Sequence, residues 1–379
     1  MPGLFHFISN LHGALHFSGV IRVCCVLGVL APSGRLLYEN GQMELVSDNP
    51  VKILLLITPN FNLAATVGFL DPFRAANYLE GSVRFQWQIV SQRGGPCIAS
   101  NGLSIDTVAL SAVQDTNADI VIVSSSWAPE AHNTIPLHAA LWRWARQGCT
   151  LGGLDTGAFI LGEAGLLKGR KATVHYEHID AMIELFPDVE VSEELFVFDG
   201  NRITCCGGVA VADFALHIIQ GTHGDTVANA AARYVFLQSV RPFGALQNPG
   251  LAEPIGQMAP SVVKRAIAIM EQNLEVPLTI PEICEAVEIS QRHLNRQFTA
   301  YVKKTPTLYY RDIRLDRARG LVTQTRIPLA EVAVASGFSS QVHFSRAYRE
   351  RFGLAPRSDR IEGRVPFEFR AWPMHRKTD

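Results

Sequence analysis

The sequence lacks several signatures that would assign it to a common class of protein. None of its seven cysteines belongs to a Cys-x-x-Cys pair, so neither a zinc ribbon nor a thiol redox motif is indicated. The odd cysteine number and the adjacent pairs Cys24–Cys25 and Cys205–Cys206 argue against a secreted disulfide framework and favour a reducing cytoplasm. There is no phosphate loop with its lysine and no low-complexity run. We therefore expect no metal and no cofactor.

A convincing membrane or export segment is also missing. The apolar stretch 15–31 carries Arg22 near its middle and has no basic residue ahead of it. It is a poor signal peptide and is short for a span of ~20 residues. We expect a cytoplasmic protein without membrane contact, in which residues 1–48 are an extension that is either dispensable or the result of a wrongly assigned start. Met43, just before the first strong strand, is a candidate true start.

Length and charge indicate two domains of different character. The 379 residues are 47% hydrophobic and 18% charged, which is typical of globular proteins too long for a single ordinary domain. The net charge of −1 conceals an asymmetry. Residues 1–259 contain 14 basic against 22 acidic residues, whereas residues 260–360 contain 16 against 10. A basic C-terminal module of this kind is expected to meet a polyanion.

From Pro50 the chain alternates between apolar strands and helices. Strands that are apolar on both faces, interleaved with helices, predict an α/β sandwich with a parallel sheet over residues 49–238. The predicted strands are Val51–Ile57, Val83–Val90, Ile120–Val123 and Thr150–Leu154. The predicted helices are 62–79, 135–147, 209–220 and 225–237.

The segment Gly152–Phe159 runs from a strand straight into a helix through a glycine-flanked polar residue, Asp155. This arrangement lifts a side chain above the sheet edge, as in a nucleophile elbow. A carboxylate is a poor replacement for the thiolate or hydroxyl of an acyl-transfer enzyme. Three interpretations of Asp155 remain open: a helix cap, a cation-binding group in a cleft, and a catalytic group.

The segment Gly153–Arg170, followed by Ala172–Glu177, resembles the PfpI-type, glutamine-amidotransferase-like domain of GlxA-type regulators. Within that group it is most similar to the branch that senses arginine, carnitine or glycine betaine. The resemblance implies a flavodoxin-like or amidotransferase-like fold. In catalytic relatives the elbow residue is Cys, supported by an acidic residue in the first strand-to-helix turn. This chain has Asp155 and, in that turn, Asn60–Ala65 without an acid, so we expect no catalytic residue. The alternative is a PfpI-type hydrolase or amidase with an attached DNA-binding module.

Carboxylates and aromatic rings near the elbow suit a cationic ligand, because ring faces attract guanidinium and quaternary ammonium groups. We expect a small cationic or zwitterionic amino-acid derivative to bind there. For His175 and Tyr176 the alternative is a buried strand, and for Trp127 it is simple packing. The candidate ligand-binding residues are Asp155, Thr156, His175, Tyr176, Glu177 and Trp127.

Residues 239–259 are rich in proline and glycine and are interpreted as a linker. Residues 260–360 are wholly helical in pattern and contain a near-repeat, in which 280–298 aligns with 328–348. Each copy reads as a short amphipathic helix, a tight turn and a second helix opened by serine, which predicts two helix-turn-helix units.

The second helix of each unit carries three polar side chains at i, i+3, i+4 or i, i+4, i+5 spacing, which places them on one face. Arg can grip guanine and Asn or Gln can grip adenine through paired hydrogen bonds. A solvated charged face is the alternative, but two such helices in a basic module favour DNA reading. The candidate DNA-binding residues are Arg292, Asn295, Arg296, Gln341, Ser345 and Arg346.

The module resembles the AraC/XylS DNA-binding domain at Gly337-Phe338, Phe344–Tyr348 and Phe352–Pro356. The resemblance implies a sequence-specific regulator of double-stranded promoter DNA, an activator that contacts RNA polymerase, and a homodimer formed through the α/β domain. It also implies a long helix within 301–325, whose arginines 311, 314, 317 and 319 would be partly available for phosphates. Glu288 stands where such turns often carry Gly. Residues 361–379 are expected to be a tail.

Overall fold

Strands buried on both faces form the centre of the N-terminal half. The computed structural model describes residues 36–39, 42–45, 49–113, 115–247 and 259–362, with backbone alone for the first two ranges and for residues 361–362. The described residues belong to one compact unit. Most of the expected extension 1–48 and of the tail 361–379 lies outside the described residues, and Met43 is described only as backbone of a strand.

An eight-stranded sheet has the order β11-β12-β8-β7-β3-β4-β6-β5. Neighbouring strands from β12 to β6 are parallel, whereas β11 and β5 pair antiparallel at the two edges. The parallel sheet expected from the sequence is confirmed, and the antiparallel edges are an addition. The strands are β1 Leu36–Glu39, β2 Gln42–Leu45, β3 Val51–Ile57, β4 Phe85–Ser91, β5 Gly95–Ile98, β6 Ser104–Ala109, β7 Ile120–Ser125, β8 Thr150–Asp155, β9 Lys171–Thr173, β10 Glu190–Ser192, β11 Phe196–Asp199 and β12 Arg202–Cys205.

Helices cover both faces of this sheet, so each face has its own apolar core. The helices of this domain are α1 Leu63–Glu80, α2 Leu110–Val113, α3 Ile135–Arg146, α4 Gly157–Glu163, α5 Ile179–Leu185 and α6 Ala210–Tyr234, with 3-10 helices at Pro129–His132 and Tyr176–His178. The two helical segments predicted after residue 208 form α6, which is interrupted at Gly224 by a non-helical backbone (φ 82°, ψ 172°).

The predicted linker begins on the α/β domain. The backbone N–H and guanidinium of Arg241 donate to the fully buried Asp213 at 2.6–2.8 Å. The Gln247 side chain donates to the carbonyl of Val174 at 2.8 Å. Residues 239–247 are therefore held against the α/β domain, and residues 248–258 lie outside the described residues.

The described part of the C-terminal domain, residues 259–362, contains seven helices: α7 Ser261–Gln272, α8 Ile280–Ala286, α9 Gln291–Tyr301, α10 Pro306–Gln324, α11 Leu329–Ala335, α12 Gln341–Phe352 and α13 Pro356–Glu362. They surround two small apolar cores, and α10 contributes to both, with Tyr309 and Tyr310 in the first and Leu315 and Leu321 in the second. Among the described residues, no helix is long and apolar enough to span a bilayer.

Candidate functional site

Asp155 occupies the elbow at the carboxyl end of β8, in a left-handed backbone conformation with φ of +57°. This conformation costs a non-glycine residue ~1–2 kcal/mol. The flanking glycines are required by space, because a Cβ at Gly153 would lie 2.6 Å from the amide nitrogen of Ala158. A Cβ at Gly157 would lie 2.0 Å from the carbonyl oxygen of Val123. The elbow geometry predicted from the sequence is present.

The Asp155 side chain is buried, with 5% of the residue exposed. Its carboxyl group hydrogen-bonds with the side chains of Ser126 and Asn62. No described basic side chain forms an ion pair with it. Burial is the main cause that raises the pKa of Asp155 to about 7, with a smaller contribution from the nearby charge of Glu177. The site therefore holds a buried carboxyl group that lacks a cationic partner among the described side chains.

Asn62 and Ser126 also belong to this site, although they were not predicted from the sequence. Asn62 is the N-cap of α1, and its side chain accepts a hydrogen bond from the backbone of Ala65. Ser126 follows β7, whose carboxyl end lies beside that of β8. A signal for Ser126 was available, because three consecutive serines end a buried strand at the edge where open α/β sheets bind ligands.

His175, Tyr176 and Glu177 lie on the turn and the 3-10 helix that follow β9, not on a buried strand. The ring centroids of His175 and Tyr176 lie 4.5 Å apart, with the two rings tilted by 35°, and Tyr176 is 61% exposed. The Nδ1 of His175 lies 3.9 Å from a carboxylate oxygen of Glu177. The buried-strand alternative for His175 and Tyr176 is therefore wrong.

The remaining two candidate ligand-binding residues are placed differently. Thr156 is fully buried, and its hydroxyl donates to the carbonyl of Ser126 at 2.7 Å. Trp127 is half-buried, and its backbone N–H donates to the carbonyl of Asn60 at 3.5 Å. Thr156 thus stabilises the elbow through a buried hydrogen bond, while Trp127 lies beside the first strand-to-helix turn.

One group of side chains in the described part of the chain could hold a metal ion. Ligand atoms of His175, Glu177 and His178 lie within 4.8 Å of one another. Desolvation lowers the pKa of the half-buried His178 to about 3, and the charge of His175 adds to the shift. His178 is therefore neutral at physiological pH.

The two helix-turn-helix units are α8–α9 and α11–α12, as the repeat predicts. Glu288 in the first turn has a φ of +59°, and Gly337 in the second has a φ of +72°. Both turns use the left-handed conformation, so the first turn has its usual geometry despite the glutamate. Ser290 caps α9 with its side chain at 3.3 Å from the His293 nitrogen. Ser340 precedes α12 without a side-chain capping hydrogen bond.

The candidate DNA-binding residues lie on the outer faces of α9 and α12. In α9, Leu294 and Phe298 are buried and hold the helix on the first core; in α12, Phe344 and Tyr348 do the same in the second. Ser345 is half-buried, and the other five candidates are exposed: Arg292, Asn295, Arg296, Gln341 and Arg346. None of these five forms a side-chain hydrogen bond or ion pair with another described residue.

Each of the four arginines of α10, which were expected to be partly available for phosphates, has a protein partner. Arg314 donates to the carbonyls of Ser336 and Gly337 at 3.1 and 3.0 Å. The other three pair with carboxylates: Arg311 with Glu350, Arg317 with Asp180, and Arg319 with Asp359. These ion pairs could not be predicted from the local sequence, because the carboxylates are distant from the arginines along the chain.

Comparison with known proteins finds a family match for each of the two domains. The helix-turn-helix domain family matches residues 283–360, and the DJ-1/PfpI family matches residues 51–221. The HTH-type transcriptional regulator CdhR of Pseudomonas aeruginosa is 38% identical over 306 residues, which covers 80% of this chain and 90% of the relative. The regulator GbdR of the same species is 37% identical over 312 residues, covering 82% and 84%.

The HTH-type transcriptional regulator GlxA of Rhizobium meliloti is 33% identical over 312 residues, covering 82% of this chain and 96% of the relative. These relatives share both domains and are named as regulators rather than as enzymes. The chain therefore belongs to the family of HTH-type transcriptional regulators that join a DJ-1/PfpI domain to an AraC-type DNA-binding domain, and its function is DNA-binding regulation rather than hydrolysis.

Proposed function

We propose that this regulator reads promoter DNA with α9 and α12 and responds to a small cationic or zwitterionic metabolite bound at the Asp155 elbow. The observation that carries the first part is the pair of polar triads on two equivalent helices, in which all residues but the half-buried Ser345 are exposed. Residues 260–360 also supply an excess of basic residues, 16 against 10 acidic. Base contacts from the triads would set the choice of site, and phosphate contacts would set the affinity and its dependence on salt.

The reading of DNA is tested by selection. The full chain is incubated with a random double-stranded library, and bound duplexes are enriched over several rounds. We expect a defined consensus with two separate elements, since each unit would contact its own stretch of major groove. Enrichment of no sequence above the starting library would contradict the assignment of the six DNA-binding residues.

The effector part rests on the buried carboxyl group of Asp155, which lacks a basic partner among the described residues. Glu177 acts electrostatically on that group, and the exposed ring of Tyr176 precedes Glu177 in the chain. A cation entering this site would favour the ionised form of Asp155 and would be attracted by its negative charge. Each contact with an aromatic face adds ~0.5–2 kcal/mol of binding free energy. Guanidinium and quaternary ammonium compounds of the arginine, carnitine and glycine betaine class have this chemistry. Asp155 would bind the cation, and Tyr176 and Glu177 would lie at the edge of the site.

Thermal unfolding of the full chain against arginine, carnitine and glycine betaine tests this part. A ligand at 100 times its Kd stabilises the native state by ~2.7 kcal/mol. Asp155→Asn should lose that stabilisation, whereas Asp106→Asn, an exposed carboxylate on β6, should keep it. Absence of stabilisation by the whole panel, or equal stabilisation of both variants, contradicts the proposed site.

We further propose a cytoplasmic homodimer that activates transcription by contacting RNA polymerase. An aromatic surface supports self-association: Tyr78 of α1 and Tyr234 of α6 have ring centroids 5.4 Å apart, and Phe236 beyond α6 is 92% exposed. Sedimentation of the wild type and of Phe236→Ser tests the dimer. A wild-type mass of one chain at micromolar concentration would contradict it.

A further inference from the structure

The α/β domain contacts the DNA-binding domain through α5 and the 3-10 helix Tyr176–His178, which pack against α10. Asp180, in the first turn of α5, pairs with Arg317 of α10, with 3.3 Å between Oδ1 and Nε. The Arg317 side chain is 13% exposed and that of Asp180 is 37% exposed. The Arg317 side chain is therefore largely buried in its contact with Asp180.

Two further contacts lie on the same side of α10. The side chain of Gln324 lies beside His178. Gly320 lies between Arg317 and Gln324, and a Cβ at this position would be 3.5 Å from the carbonyl oxygen of Glu177. Helix α10 thus touches the backbone of the very residue whose carboxylate borders the Asp155 site.

The candidate effector groups and the domain contact share one short segment. Glu177 acts electrostatically on Asp155, and His178 and Asp180 follow it directly in the chain and lie against α10. The 3-10 helix continues into α5 without a break. A shift of Glu177 toward a bound cation would therefore displace His178 and Asp180 as well.

On the other side, α10 holds both reading helices. Its Tyr309 and Tyr310 are in the core that carries α9, and its Leu315 and Leu321 are in the core that carries α12. A change in the position of α10 relative to the α/β domain therefore moves both reading helices together.

The contact is incompletely satisfied. The Nε of Arg317 lies 3.3 Å from the Asp180 carboxylate but is buried without a well-aligned hydrogen bond, and the buried Oε1 of Gln324 has no hydrogen-bond partner among the described residues. A buried polar atom without a partner destabilises the arrangement that contains it. An interface with two such atoms is suited to opening and closing, since little hydrogen bonding is lost on separation.

We propose that the α5–α10 surface, formed by His178, Asp180, Arg317, Gly320 and Gln324, couples occupancy of the Asp155 site to the placement of the reading helices. The inference rests on the proposed function and adds its route of regulation. Coupling between two sites is reciprocal, so DNA binding must also change the free energy of the effector segment. That reciprocity allows a test that needs no identified effector.

The experiment is hydrogen exchange of the full chain with and without a duplex selected from the random library. In the wild type we expect DNA to change amide exchange in residues 175–185 by about fivefold or more, the lower end of usual coupling. Arg317→Ala should bind the same duplex but lose that change, because Arg317 contacts Asp180. The double variant Asp180→Arg with Arg317→Asp, in which the two charges are swapped, should regain part of the DNA-induced change in exchange.

Lys168→Ala is the matched control, because it removes an ion pair of the same domain, with Asp188 at 2.9 Å. It should retain the full response. Gly320→Leu adds atoms against Glu177, whereas Gly320→Ala reaches only ordinary contact, so only the leucine should abolish the response. Failure to bind any duplex would count against the proposed function. Binding without an exchange change in residues 175–185, or a change that persists in both Arg317→Ala and Gly320→Leu, overturns the coupling alone.

Discussion

Glu288 and Gly337 occupy the same left-handed conformation at the turns of the two helix-turn-helix units, with φ of +59° and +72°. They differ in what surrounds them. A Cβ at Gly337 would lie 2.5 Å from both the carbonyl oxygen of Leu274 and the Cγ of Pro277. Glu288 is exposed, so the first turn tolerates a side chain at the expense of backbone strain.

Glu288→Gly should therefore stabilise the protein by up to about 1 kcal/mol, because relief of strain of ~1–2 kcal/mol outweighs the added freedom of the unfolded chain. Gly337→Ala should destabilise it, since backbone atoms cannot move aside cheaply. Urea denaturation of the full chain measures both. A lower midpoint for Glu288→Gly would show that the turn is not strained.

Arg314 joins the second turn to α10. Its guanidinium donates to the carbonyls of Ser336 and Gly337 and lies 4.5 Å from the centroid of the Phe338 ring. Lysine cannot reproduce this planar, two-pronged contact. Arg314→Lys should cost about 1–3 kcal/mol of unfolding free energy, the usual cost of leaving buried polar groups unpaired.

Arg326→Lys is the control for Arg314→Lys, because Arg326 is exposed and has no ion-pair partner among the described residues. Chemical denaturation should separate the two variants by more than 1 kcal/mol. Equal stabilities would mean that Arg314 does not anchor the second turn.

Asp155 predicts a dependence of stability on pH. Its folded pKa of about 7 is above the ordinary value of ~3.9, so the folded state retains a proton that the unfolded state has lost. The contribution of this proton to stability is complete below about pH 4 and is lost as the pH rises toward 7. Relative to the wild type, Asp155→Asn should gain stability on going from pH 5 to pH 8.

Melting temperatures of both proteins across this range check the prediction. The affinity for a cationic ligand should follow the opposite trend and rise from pH 5.5 to 7.5, as Asp155 ionises. A difference between wild type and Asp155→Asn that does not vary with pH would place the pKa of Asp155 near its ordinary value.

Much of the fold could be predicted because burial leaves a local trace. The run Val51–Ile57 is apolar on both faces and forms the central strand β3, and the serine before α9 marked the start of that helix. The partners of the α10 arginines could not be predicted. Arg319 pairs with Asp359, 40 positions away, and nothing in the local sequence distinguishes such an arginine from one that faces solvent.

The elbow was predictable for a similar reason, and its surroundings were not. Closely spaced glycines around Asp155 are a steric requirement that the sequence displays. The hydrogen bonds with Asn62 and Ser126 depend on the lateral order of the strands β3, β7 and β8. That order is a property of the sheet as a whole, so no segment contains it.

The central claim is that the polar triads of α9 and α12 read bases. The most direct measurement is the ratio of affinities for the selected duplex and for a scrambled duplex of equal length, at fixed salt. Arg296→Ala and Arg346→Ala should each lower the difference between the two binding free energies, which this ratio measures, by about 1–3 kcal/mol. Arg326→Ala should weaken both affinities equally or not at all. A ratio unchanged by both Arg296→Ala and Arg346→Ala would contradict the account.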